Sequence, residues 1–271
     1  MDLEKARHEI RHWHEEFVRQ FHKDDHERMN QVFLKYDHTQ RVVIEMRGMI
    51  EALGVTPELA VMAEISALLH DIGRYQQYIT AESFDDTAID HAEISAKLIE
   101  DEKVLRLLPP SLAEGILQVI RYHNKDTHET SLREDVTQVI AMIRDIDKLD
   151  IWRLVSVYYM TPVAKRELIP WLELPEEGIL SDTIRETFRA GKVSTSQKIE
   201  NLTDLKFQQL SWLYGITYDW TAQVAQHRRY LGKIIDTLPI NNEELYLLAS
   251  PALHQLEQRA LQAKEAGFRG R

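Results

Sequence analysis

AEISALLHDIGRYQQY, residues 63–78, runs from an apolar helical segment straight into a histidine and an aspartate. Ile65, Ala67, Leu68 and Leu69 suit a buried helix, yet the segment closes on His70-Asp71, with Gly73 placed to stop the helix and Arg74 just behind. Burying an imidazole and a carboxylate without partners costs about 1–3 kcal/mol or more. The pair therefore needs partners from elsewhere in the chain.

Upstream, Thr56 is an N-cap, Pro57 a first helical residue and Glu58 a first-turn acid, while Gly54 ends the preceding helix. In that preceding helix, YDHTQRVVIEMRGMIEALG, His38 lies on the stripe of Val42, Met46, Met49, Ile50 and Leu53. A connection this short makes the two helices antiparallel neighbours, so the start of one meets the end of the other.

Downstream, residues 75–87 are polar and aperiodic and read as a loop over a pocket mouth. In IDHAEISAKLIEDE, His91 shares a helical face with Ile94, Ser95 and Leu98. Beyond Pro109 and Pro110, the face of Leu112, Ile116, Val119 and Ile120 leads to His123. A second polar loop, 124–131, precedes a long helix whose stripe is Ile140, Ile143, Asp147, Ile151 and Leu154. Asp147 is an acid set into an apolar face; Asp145 and Asp150 compete with it in RDIDKLD.

The flanks carry less chemistry. Residues 3–23 form an amphipathic helix through Ile10, Trp13, Phe17, Val18 and Phe21. His8, His12, His14, His22 and His26 read as scattered around a solvated face rather than as a metal tract. From residue 161 come three prolines, then helices near 181–190, 200–214, 217–238 and 243–263, rich in aromatics that include Trp171, Trp212 and Trp220. This reads as a helical extension packed on the core and a candidate homodimer contact, with KEAGFRGR as a frayed tail. No alternating strand pattern and no internal repeat occurs, so the fold class is all-α.

The 271 residues include no cysteine, which excludes disulfides, thiolate nucleophiles and Cys-ligated zinc and suits a cytoplasmic location. Any metal must be held by His, Asp or Glu. A net charge of −11 without a basic stripe argues against an extended nucleic-acid partner, and no run of about 18 apolar residues suggests a membrane.

A lone histidine on an apolar face is usually a core residue bonded to a carbonyl. Five helices each offering a His or Asp inward are different, because so many unpartnered groups would exceed the stability of a domain, whereas one or two divalent ions satisfy them together. The order His38, His70-Asp71, Asp147 resembles the signature of the HD-domain superfamily of metal-dependent phosphohydrolases, and His91 and His123 match the additional histidines of its dinuclear subfamilies. The resemblance covers residues 30–160, an HD-type helical bundle; the N-terminal helix, 1–29, and the helical extension, 161–271, lie outside it. It implies His38, His70, Asp71 and Asp147 as ligands of one ion, with His91 and His123 holding a second and Asp71 bridging.

Mixed imidazole and carboxylate ligands suit Mn, Fe, Co, Ni or Zn. The implied reaction is attack of a metal-activated water on a small phosphorylated molecule, a nucleotide above all, with Arg74 and Lys148 as candidate phosphate-neutralising cations beside the catalytic Asp71. The same scaffold also allows a di-iron oxygenase or a non-catalytic module that binds a nucleotide or a partner.

Overall fold

The computed structural model describes residues 3–21, 26–81, 90–125, 131–166, 169, 172, 174–176, 178–194, 199–239 and 242–267. The described residues are all-α, with no strand among them. The chain divides into two compact units, Met1–Ile146 and Asp147–Arg271. No described helix is long and apolar enough to cross a membrane.

The first unit is built on α3 (Pro57–Leu69). Thr56 Oγ1 accepts the Leu59 N–H at 3.3 Å and Pro57 stands at the first position, as the sequence requires of a helix start. Buried residues occur all round α3, including Leu59, Met62, Ala63, Ile65, Ser66 and Leu69. A helix apolar on every side belongs at the centre of a core. Packed against it are α1 (Leu3–Arg19), α2 (His26–Leu53) and α6 (Pro110–Tyr122). Next come α4 (Ile72–Ala81), which lies on α5 (His91–Asp101) and α2, and α5 in turn lies on α6. Gly54 closes α2 with φ of 59°. Outside this core, Glu64 of α3 is gripped by Arg7 at 3.2 Å and Arg11 at 3.3 Å from α1 and by Arg47 Nε at 2.9 Å from α2.

Three expectations change in this unit. Residues 75–81 are the body of α4, not a loop, while 82–87 lie outside the described residues. Tyr75, Gln77 and Tyr78 are all buried, and it is the buried glutamine that hides the helical period. Gly73 does not stop a helix; it is the second residue of α4. A Cβ there would stand 2.4 Å from the His91 carbonyl and 2.7 Å from the Ser95 nitrogen, so the glycine is needed for the close approach of α4 to α5. Finally, His14 is 1% exposed, on the Ile10, Phe17 and Val18 side of α1, whereas His8 and His12 are exposed as read. His22 and the side chain of His26 lie outside the described residues.

α7 (Glu134–Met160) passes through the division between the units. Its buried line is Val136, Val139, Ile143, Ile146, Leu149, Trp152, Val155 and Tyr159. Asp145 and Asp150 are fully buried; Asp147, Ile151 and Leu154 are only partly so.

In the second unit follow α8 (Asp182–Arg189), α9 (Leu202–Ser211), α10 (Asp219–His227), α11 (Tyr230–Ile235) and α12 (Glu243–Glu265). The helix expected over 217–238 is broken in two at Arg229, whose φ is 56°. Helix α9 is buried along its whole length, with α8, α11 and α12 packed against it. Several of its polar side chains have protein partners. Asp204 accepts the Ser181 N–H at 2.8 Å, the Ser181 hydroxyl at 2.6 Å and the Glu200 N–H at 3.1 Å. Lys206 Nζ donates to the Thr237 carbonyl at 2.8 Å, and the Gln209 side-chain oxygen accepts from the Tyr159 hydroxyl at 3.0 Å. Trp171, Ile240 and residues 268–271 lie outside the described residues.

Candidate metal centre

Asp71 sits between α3 and α4, in the turn that follows His70. The turn is fixed by one side chain of α5: Ser95 Oγ donates to the His70 carbonyl at 3.0 Å and accepts the Gly73 N–H at 2.8 Å. A second tie joins the start of α5 to the end of α6. Asp90 caps α5 by accepting the Ala92 N–H at 3.0 Å, and the same carboxylate takes the Asn124 amide at 3.0 Å and the Lys125 ammonium. Clamped between these neighbours, His91 and His123 face each other with their Nε2 atoms 3.0 Å apart.

The result is a carboxylate with two histidines at each oxygen. Asp71 Oδ2 lies 3.7 Å from His38 Nε2 and 3.8 Å from His70 Nε2; Oδ1 lies 3.1 Å from His91 Nε2 and 4.0 Å from His123 Nε2. Each oxygen also has a cation, Lys35 Nζ at 3.0 Å from Oδ2 and Arg74 Nε at 3.6 Å from Oδ1. All five His and Asp side chains are buried. Among the described residues, the groups whose ligand atoms converge are His38, His70 and Asp71, and then Asp71, His91 and His123. Asp71 belongs to both.

The donor atoms fit a cation. His70 Nδ1 lies 2.9 Å from the Ala67 carbonyl and His123 Nδ1 lies 2.7 Å from the Ile120 carbonyl. A carbonyl can only accept, so in each ring Nδ1 carries a hydrogen and Nε2 is the atom left on the Asp71 side to ligate a cation. Such second contacts are what orient metal-binding imidazoles. Ligand atoms about 2.1 Å from a shared ion stand about 3.0–3.4 Å apart; the His91 contacts to Asp71 and His123, at 3.1 and 3.0 Å, fall in that range, and the other three lie at 3.7–4.0 Å. A single proton on His91 Nε2 could serve one of its two near acceptors, whereas a divalent ion would serve them all.

Electrostatics agree. Burial opposes ionisation of Asp71, but the Lys35 ammonium, then His70 and His91, prevail and hold its carboxyl well below the usual carboxylate range. Burial, followed by repulsion from His91 and His70, pushes His123 down to about 3, so its imidazole is neutral at neutral pH. His14 is pushed down to about 4 by burial, Arg11 and His70, and neither of its ring nitrogens makes a hydrogen bond.

Sequence reasoning missed Lys35 and Ser95. Lys35 stands one helical turn before His38 and so shares its face, a signal that was open to view. Ser95 was placed on the inward face of α5, but nothing local marks it as the staple of a turn 25 residues away. Arg74 Nε lies 3.6 Å from Asp71 Oδ1, and its Nη1 donates to Gln77 at 2.8 Å. Asp147 and Lys148 open the second unit, each partly buried on α7. The polar loops read over 82–87 and 126–130 lie outside the described residues.

Residues 36–152 match the family model described as the HD domain, and the convergent histidines and aspartate of this stretch are compatible with the metal site of such a domain. Searches of curated proteins and of solved structures found no match to the chain.

Proposed function

We propose that the chain is a metal-dependent phosphohydrolase that cleaves a phosphate ester or anhydride of a small molecule, with nucleotides as the substrate class. The observation that carries this reading is the sharing of Asp71 between two ligand groups, two histidines on each carboxylate oxygen. In it, His38, His70 and Asp71 hold one ion and Asp71, His91 and His123 a second. Asp147 completes the first set on the strength of the motif.

A divalent transition ion, when bound, supplies Lewis acidity that polarises a phosphoryl oxygen and acidifies water. The protein supplies the rest. Asp71, kept anionic by its neighbours, carries the negative charge for both halves. The carbonyl contacts of His70 and His123 fix their rings before any ligand arrives, so little reorganisation remains. Arg74 on α4, and Lys148 by the motif, neutralise phosphate charge as it grows toward the leaving group.

The test is to load the purified chain with Mn, Co, Ni or Fe and assay phosphate release from a broad panel of nucleotides and sugar phosphates. Release that disappears in Asp71→Ala supports the reading. Silence across the panel sinks it, and substrate-dependent oxygen uptake by the iron form would turn attention to oxygenase chemistry.

A further inference from the structure

The two halves of the centre are not equivalent. On the Oδ1 side the cation is Arg74, whose Nε is 3.6 Å away and whose Nη1 is engaged with Gln77. On the Oδ2 side Lys35 makes a direct hydrogen bond of 3.0 Å, on the oxygen that His38 and His70 also face. A lysine ammonium and a divalent ion ligated by His38, His70 and Asp71 would crowd two cations around one oxygen. Like charges a few ångströms apart in a buried setting repel by several RT. Lys35 has the length to shift away: it is a point charge on a flexible four-carbon stem, its side chain 18% exposed while that of Asp71 is 6% exposed.

We propose that Lys35 is a positioning residue of this centre: its ammonium neutralises Asp71 Oδ2 while no divalent ion is there, and passes to a phosphoryl oxygen of the substrate when an ion takes that carboxylate oxygen. Lys35 thus makes the His38/His70 half bind metal more weakly than its ligands alone would, and the displaced charge becomes part of the phosphate site. This rests on the phosphohydrolase reading for the anion it meets, but not for its competition with the ion.

The test uses the full chain with Lys35→Met, which keeps the stem and removes the charge, and Lys35→Arg, which keeps the charge. Calorimetric titration with Mn²⁺ alone, followed by titration of the Mn-loaded protein with inorganic phosphate, gives two readings of opposite sign. Lys35→Met should bind Mn²⁺ about tenfold more tightly and phosphate about tenfold more weakly, and Lys35→Arg should restore both toward the parent. A merely structural lysine would give unchanged or weaker Mn²⁺ binding together with a lower melting temperature, and that outcome overturns the proposal. So does tighter Mn²⁺ binding with phosphate affinity unchanged. If Lys35→Met does not fold, Lys35→Gln carries the same two readings. Failure of the parent protein to hydrolyse any phosphate compound would count against the proposed function while leaving the Mn²⁺ comparison valid.

Discussion

Asp71 and Asp204 are both buried aspartates beside helix ends, one in each unit, and their surroundings are opposite in kind. Asp204 is surrounded by donors: two backbone N–H groups and a hydroxyl fill its oxygens within 3.1 Å. Asp71 is ringed by four imidazoles at 3.1–4.0 Å, two of which have Nδ1 committed to a carbonyl and so offer Nε2 on its side. The first arrangement is complete as protein and serves the fold. The second gathers atoms of metal-ligand type that a divalent cation can serve together. Buried charge is thus no mark of function in itself; the mark is that several side chains of metal-ligand type share one focus.

The contrast is sharpest in paired substitutions. Asp71→Ala should lower metal affinity at least about a thousandfold, roughly 4 kcal/mol, and abolish hydrolysis, while the melting temperature of the metal-free protein changes little. Metal titration and calorimetry on one sample check both halves, and a collapse of the fold would erase the distinction. Asp204→Ala should do the reverse. It strands three donors and should cost about 3–5 kcal/mol in urea unfolding, with the metal affinity of the folded protein unchanged.

Gly73→Ala probes the seam between fold and site. A Cβ against the His91 carbonyl forces α4 and α5 apart, so a stability loss of about 1–3 kcal/mol should come with weaker metal binding, because His91 moves from Asp71. Unaltered metal affinity would show that the centre tolerates more play than its packing implies.

The smallest effect concerns pH in the second unit. Burial pushes Lys206 down to about 8 from an ordinary 10.5, a shift that Glu176 opposes and Arg166 reinforces. Between these values the unfolded chain holds the proton and the folded chain does not, so stability from this residue rises with pH from about 8 to about 10.5. Urea unfolding at pH 7 to 10 should show the parent gaining about 1–3 kcal/mol on Lys206→Met across that window. Parallel curves would mean that the Thr237 carbonyl and the Tyr159 ring, 4.9 Å from Nζ, keep the lysine charged.

Much of the first unit was legible in order. The Thr56-Pro57 start, the Gly54 stop and the histidines at 38, 70, 91 and 123 all rest on local rules, caps and a period of 3.6, that need no knowledge of distant contacts. Helix α4 was not legible, because Gln77 interrupts the apolar period and yet is buried, its side-chain oxygen accepting from Arg74. Nor was the interior of α9, where Thr203, Asp204, Lys206, Gln208, Gln209 and Ser211 are buried although their types suggest a solvated face.

By itself, then, the sequence determined the all-α class, the helix that ends in His70-Asp71 and the set of residues able to bind an ion, because periodicity and side-chain chemistry are properties of short stretches. The tertiary structure alone decided how that doublet is used. It brought Ser95 onto the turn and Gly73 against α5, and it placed Lys35 and Arg74 at opposite oxygens of one carboxylate. Those are distances between segments far apart in the chain, and they follow from packing, which no local pattern records.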